Sequence, residues 1–264
     1  MLSKLILGFL LAAVSSRAAT LYLAGDSTMA ADDGNDAIIG WGVFVGNHLS
    51  IPVVNMAVAG RSSRSYTDEG RFNTIINTVQ PNDVVIIEFG HNDGGGPSAS
   101  TKGVCAGADT TTTCNVNGTI VYTFNKYIED AVNSLHTKSA KVIVSSQTPD
   151  NPYDVGFSPS RFVGYAQTAA QDTGASYVNH FGLVIEEYQA LGESAVNALY
   201  PVDHTHTSPT GADIVAQTFV RGVLCDSSNP LFSFVNNTQV VPSKSIPRMM
   251  IINGLMIAFV DSCV

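Results

Sequence analysis

Four short polar clusters carry residue types that could do chemistry: Gly25-Asp26-Ser27-Thr28, Gly60-Arg61-Ser62, Gly90-His91-Asn92-Asp93 and Asp203-His204-Thr205-His206. A serine hydroxyl is a useful nucleophile only when an imidazole removes its proton and a carboxylate fixes the imidazole tautomer. Ser27, His206 and Asp203 supply these parts, and the three-residue step from Asp203 to His206 lets both side chains face one side of a turn. Acyl transfer also needs donors aimed at the developing oxyanion. The backbone N–H of Ser27, the backbone N–H of Gly60 and the side-chain amide of Asn92 are the candidates. Each cluster has an ordinary reading when taken alone. Asp26-Ser27-Thr28 could cap a helix, Gly90 to Gly94 could be a turn, and Asp203, His204 and His206 could form a capped loop. His91, Asp93, Asp203, His204 and His206 could also hold zinc or manganese. That reading leaves Ser27, Gly60 and Asn92 without a task, so no metal and no cofactor is expected.

These clusters need a frame that brings them together. Five runs rich in β-branched and aliphatic residues, Leu21 to Ala24, Val53 to Ala57, Val84 to Phe89, Val142 to Ser145 and Tyr177 to Asn179, read as buried parallel strands. Between them, Phe124, Tyr127, Ile128, Ala131, Val132 and Leu135 recur at the spacing of one helix face, as do Trp41, Phe44, Val45 and Leu49. Strand then helix, repeated, predicts a doubly wound α/β sheet, which binds ligands at the carboxyl ends of its strands. Three of the clusters directly follow the first three strands. The fourth precedes Ser208-Pro209, an N-cap and first helical position for a helix running through Ile214, Val215 and Phe219 toward Leu224.

The chain has 264 residues, 45% of them hydrophobic, enough for one substantial core. Residues 1–18, with Lys4, an apolar run from Leu5 to Val14 and small residues at Ser16 and Ala18, read as a cleaved signal peptide. Residues 19–264 are then expected to form a single secreted domain with no membrane anchor. Cleavage would change 13 basic and 22 acidic residues to 11 and 22, and the net charge from -9 to -11, which disfavours nucleic acid and anionic membranes. Four cysteines fit two disulfides in an oxidising compartment, Cys105 with Cys114 and Cys225 with Cys263. Asn117 and Asn236 begin glycosylation sequons. In the tail, 242–264, turn signals fade, and Met249 to Val260 is a nearly continuous apolar run broken by Asn253 and Gly254. It reads as an extra buried strand or helix, with translated non-coding sequence as the rival; an intact mass of the secreted protein would separate the two.

Gly25-Asp26-Ser27, Gly60, Gly90-x-Asn92-Asp93 and Asp203-x-x-His206, in this order, resemble the four blocks of the SGNH, or GDSL, hydrolase superfamily. The strings AGDSTMA, AVAGRSSRSY, EFGHNDGG, SSQTP and DHTHTSP are similar to those of fungal rhamnogalacturonan acetylesterases, over roughly Thr20 to Cys225. The resemblance implies a three-layer α/β/α, flavodoxin-like fold on a five-stranded parallel sheet. It also implies Ser27 as nucleophile, Asp203 and His206 as its partners, and Ser27, Gly60 and Asn92 as oxyanion donors. The tail departs from the family by its length and apolar character.

The implied substrate is the acetylated galacturonic acid of rhamnogalacturonan, a pectin backbone, deacetylated by a monomer. Arg61 and Arg64, with Arg71, could meet its carboxylates, or pair with Asp68 and Glu69 on the neighbouring helix. His91 and Asp93 flank Asn92 and could line the cleft. Trp41, the single tryptophan, could stack on a sugar, although its spacing with Phe44 and Val45 favours the core. Acetyl xylan esterase, a lipase-like enzyme of the same superfamily, and a non-catalytic carbohydrate-binding protein are the alternatives.

Overall fold

Strand β1 (Leu21–Gly25), which leads into Ser27, is the second strand of a five-stranded sheet, with β2 (Val53–Asn55) on one side and β3 (Val84–Phe89), β4 (Lys141–Ser146) and β5 (Ser176–Val178) following on the other. All pairs are parallel, and Gly25 lies opposite Glu88, which lies opposite Ser145. The order 2-1-3-4-5 is that of flavodoxin-like sheets. The computed structural model describes residues 17–31 and 34–236, together with the backbone of two strands in the tail.

The apolar strands bury both faces, and alternation divides them between two cores. Leu21, Leu23, Val84, Ile86 and Ile143 point to one core, which is closed by α5 (His180–Leu191) and α6 (Pro209–Leu224) through Val184, Tyr188, Val215 and Phe219. Tyr22, Ala24, Val85, Ile87 and Val144 point to the other. That core is closed by α1 (Ser63–Asp68), α2 (Arg71–Thr78), α3 (Phe124–Thr137) and α4 (Arg161–Thr173). Each fully buried Leu, Ile or Val contributes about 1.5–3 kcal/mol, so the two cores hold the sheet from both sides. This is the three-layer α/β/α architecture.

The helix face expected from Trp41, Phe44, Val45 and Leu49 is instead two 3-10 turns, Trp41–Val43 and Val45–His48. The segment is pressed against the turn after β1, where a Cβ on Gly40 would lie 2.3 Å from the Met29 carbonyl carbon. Glycines at 40, 42 and 46 also weaken an α-helix there. Strand β2 ends at Asn55, short of the expected Ala57, because the Asn55 side chain bends the chain by accepting from Ala57 N at 3.0 Å and donating to Met29 O at 2.8 Å.

Cys105 and Cys114 form a disulfide with a Cα separation of 5.6 Å, beside the antiparallel hairpin of Thr113–Val116 and Thr119–Tyr122. Cys263, the expected partner of Cys225, lies outside the described residues, as do residues 1–16 of the expected signal peptide. In the tail, the backbone of Arg248–Ile252 and Leu255–Phe259 pairs antiparallel as two strands. Among the described residues no helix is long and apolar enough to cross a membrane.

Candidate active site

The turn after β1 is built by Asp26. Its buried carboxylate accepts from Thr28 N at 3.0 Å and from Thr28 Oγ1 at 2.9 Å, a local ring rather than the helix cap that the sequence also allowed. Trp41 N donates to Thr28 O at 2.9 Å, so the turn is held from the next segment as well. Ser27 is the one partly exposed residue between buried Asp26 and Thr28.

The structure brings Ser27, His206 and Asp203 together. His206 Nε2 is 2.8 Å from Ser27 Oγ, and His206 Nδ1 is 2.8 Å from Asp203 Oδ2. The second oxygen, Asp203 Oδ1, accepts from Thr205 N and His206 N, each at 2.8 Å. Partial burial pushes the Asp203 carboxyl up, but the bonds from the His206 ring and from these two N–H groups outweigh it and hold its pKa below the usual value. Two backbone bonds fasten this loop: Ile39 N donates to Thr207 O at 3.0 Å and Asn151 N to His204 O at 2.6 Å. Ser208 then caps α6 by accepting from Gly211 N, with Pro209 at the first helical position as expected.

The three expected oxyanion donors differ in what they already bond. Gly60 sits in the turn closed by Arg61 N to Val58 O at 3.3 Å, with φ +73°, where a side chain would be strained. Neither Ser27 N nor Gly60 N donates to any of the described residues. Asn92 Nδ2 donates to Arg61 O at 3.1 Å, which fixes the amide beside the Gly60 turn and leaves its other N–H unengaged among the described residues. A hollow lined by Ser27, Ile38, Ile39, Gly40, Ala59 and His206 opens beside the nucleophile.

The residues expected to contact substrate are placed differently. Asp93 is fully buried: its Oδ1 accepts from Ser63 N at 2.9 Å and from Ser63 Oγ. Desolvation pushes its carboxyl up to about 7 despite those bonds. It supports the cluster from below and presents no surface to a ligand. His91, with its side chain 8% exposed, has Nδ1 3.5 Å from Asp150 Oδ1 and Nε2 3.3 Å from Thr148 Oγ1. Arg61 is one-third exposed and pairs with Glu69 at 3.1 Å, to which Arg71 also donates. Arg64 is buried. Its Nη1 donates to the carbonyls of Gly103, Pro97 and Ser100 at 2.9, 3.3 and 3.4 Å, and its Nε lies 3.5 Å from Asp68. The helix-pairing alternative therefore describes these arginines better than the carboxylate-binding one. Trp41 is buried, stacked on Phe219, and donates to Glu88 Oε1 at 2.8 Å. Asn117 is exposed at the hairpin tip, with φ +52°; Asn236 is exposed, and the rest of its sequon lies outside the described residues.

Two features escaped the sequence reading. Glu88, a charge inside the run Val84 to Phe89, signals a buried, paired group. It accepts from Trp41, from Ser145 Oγ at 2.5 Å and meets His180 Nδ1 at 2.8 Å beneath the site. Lys102, in the loop pinned by Arg64, carries no motif at all. Its ammonium lies 3.3 Å from where a Cβ on Gly60 would stand. No cluster of three His, Cys, Asp or Glu side chains suited to a metal occurs among the described residues.

A parallel sheet that presents a hydrogen-bonded serine, histidine and aspartate beside unengaged N–H donors defines an ester hydrolase of the α/β class. The chain belongs to the GDSL-like lipase/acylhydrolase family, which matches residues 21–219. It is 45% identical over 218 residues to a rhamnogalacturonan acetylesterase of Emericella nidulans, covering 80% of this chain and 87% of that relative. A probable rhamnogalacturonan acetylesterase of Bacillus subtilis is 26% identical over 77% of this chain and 91% of its own length. Among solved structures, an acetyl xylan esterase of Geobacillus stearothermophilus shares the fold, with a TM-score of 0.55 at 18% identity over 77% of this chain and 93% of that one.

Proposed function

We propose that the chain is a secreted carbohydrate esterase that removes acetyl groups from the acetylated galacturonic acid of rhamnogalacturonan. The observation that carries this reading is the unbroken line from Asp203 Oδ2 through His206 to Ser27 Oγ, two contacts of 2.8 Å, beside the unengaged N–H groups of Ser27 and Gly60. The substrate assignment is supported by the 45% identity to the Emericella nidulans enzyme.

In the first step His206 Nε2 takes the Ser27 proton as Oγ attacks the acetyl carbonyl carbon. The oxyanion is held by Ser27 N, Gly60 N and the free N–H of Asn92, a type of contact typically worth about 2.7–4 kcal/mol per donor. The bond from carbon to the sugar oxygen breaks, and His206 returns its proton to that oxygen. Water, deprotonated by His206, then attacks the acetyl-serine, releasing acetate and restoring Ser27. Asp203 holds Nδ1–H and stabilises the imidazolium in both steps.

Acetate release from acetylated rhamnogalacturonan and from acetylated xylan, each with Ser27→Ala as control, tests the reading. Faster release from the rhamnogalacturonan, abolished by Ser27→Ala, is expected. Preference for xylan would reassign the substrate, and release that survives Ser27→Ala would overturn the mechanism.

A further inference from the structure

We propose that Lys102 is the carboxylate-binding, specificity-determining residue of the site; this rests on the substrate reading above and names the group that recognises the acidic sugar. An acidic chain acting on an acidic polymer needs an uncompensated cation close to the scissile ester, because long-range attraction is absent. The cations near Gly60 can be taken in turn. Arg61 and Arg71 both have their guanidinium engaged by the single carboxylate of Glu69, and Arg64 is buried against three carbonyls and Asp68. Lys102 alone of the four makes no ion pair among the described residues, and it is exposed.

Its position is built. The loop of residues 94–103 leaves the Asn92 turn and returns to it, with Val104 N donating to Asp93 O at 3.2 Å. Within it, Ser100 Oγ accepts from Lys102 N at 3.2 Å and Gly103 N at 3.1 Å, and Arg64 ties down the carbonyls of Pro97, Ser100 and Gly103. A buried, rigid guanidinium thus holds the backbone that projects a flexible ammonium over Gly60. Nζ would stand only 3.3 Å from a Cβ built on Gly60, which places the ammonium close against that turn. An acetyl ester with its carbonyl oxygen on Gly60 N would bring groups of the same sugar, or of the next one, to this ammonium. A uronate carboxylate there gains a charge-assisted bond, and a neutral sugar gains none.

The test compares wild type with Lys102→Gln and Lys102→Arg. Lys102→Gln should raise KM on acetylated rhamnogalacturonan about three- to tenfold, the scale of one partly exposed charge contact, and several times more than on 4-nitrophenyl acetate. Lys102→Arg should recover most of the loss, and added salt should weaken wild type on the polymer more than it weakens Lys102→Gln. An equal kcat loss on both esters would mean that the cation acts on the oxyanion instead, and no difference on either would remove it from the site; both outcomes overturn the proposal. Inhibition of 4-nitrophenyl acetate hydrolysis by unacetylated oligogalacturonate keeps this question apart from the substrate reading. A Ki that rises several-fold in Lys102→Gln supports the carboxylate site even if the wild type releases no acetate from the polymer. A Ki unchanged by the substitution, or no inhibition of the wild type at all, would overturn it.

Discussion

Glu88 and His180, both almost wholly shielded from solvent, meet at 2.8 Å between β3 and α5. The far ring nitrogen of His180 lies 3.0 Å from Val215 O, which can only accept, so it must carry hydrogen. A proton therefore also lies between His180 Nδ1 and Glu88. Trp41 and Ser145 complete the carboxyl's hydrogen bonds, leaving the pair fully satisfied.

Breaking that pair leaves an unpaired group in the core beneath the catalytic edge. Glu88→Ala should lower unfolding free energy by about 3–5 kcal/mol. Glu88→Gln, which can still donate to Nδ1 and accept from Trp41, should lose only about 1–2 kcal/mol. Urea unfolding with an unchanged m-value measures both, and equal losses would rule out the proposed proton.

Asp93 gives a stability that depends on pH with a defined sign. Its pKa is about 7 in the folded protein and near 3.8 otherwise, so between these values the folded state keeps a proton that the unfolded chain releases. Stability should fall as pH rises from about 4 to about 7 and then level off. Asp93→Asn cannot ionise, so relative to wild type it should gain up to about 4 kcal/mol across that window, at about 1.36 kcal/mol per unit. Urea midpoints at pH 4, 5.5 and 7 would show this, and a difference independent of pH would refute it.

Ser27→Ala and His206→Ala should each lower kcat for acetate release by about 10⁴-fold or more, and the double variant should lose little beyond the worse single one. Thermal unfolding of Ser27→Ala should stay near wild type, because its Oγ bonds only His206. Additive losses in the double variant would indicate that the two side chains do not act as a unit.

Arg64→Met keeps the stem but strips three carbonyls of their donor. Amide exchange across 97–103 should accelerate, while exchange in β1 and β3 stays slow, and stability should fall by about 1–3 kcal/mol. Arg64→Lys should rescue little, since one ammonium cannot reproduce the planar fork between those carbonyls and Asp68. Unaltered exchange in the loop would show that other contacts hold it.

The sequence made the sheet legible because each strand is an apolar run long enough to be read, and the polar clusters fall where such strands end. Ser27, Gly60 and Asn92 stand out for that reason, and Asp203 and His206 because their cluster precedes the cap at Ser208-Pro209. Trp41 to His48 was misread because helical spacing does not register the close contact of Gly40 with Met29. The arginines beside Gly60 show a different limit. Their charge and the nearby Asp68 and Glu69 are visible in sequence, but the burial of Arg64 depends on a loop some 35 residues away, which no local pattern encodes. Lys102 was invisible because nothing in its surroundings sets it apart until the chain is folded.

The nucleophile and its base are 179 residues apart in sequence and 2.8 Å apart in space. Ser27 emerges from β1 and His206 from the loop before α6, so the pair cannot exist until α6 has docked on the sheet that begins with β1. Turnover of a small acetyl ester is therefore a built-in reporter of chain closure. A chain cut in an exposed loop between them should yield two silent fragments whose recovered activity, on mixing, counts the molecules that have reassembled.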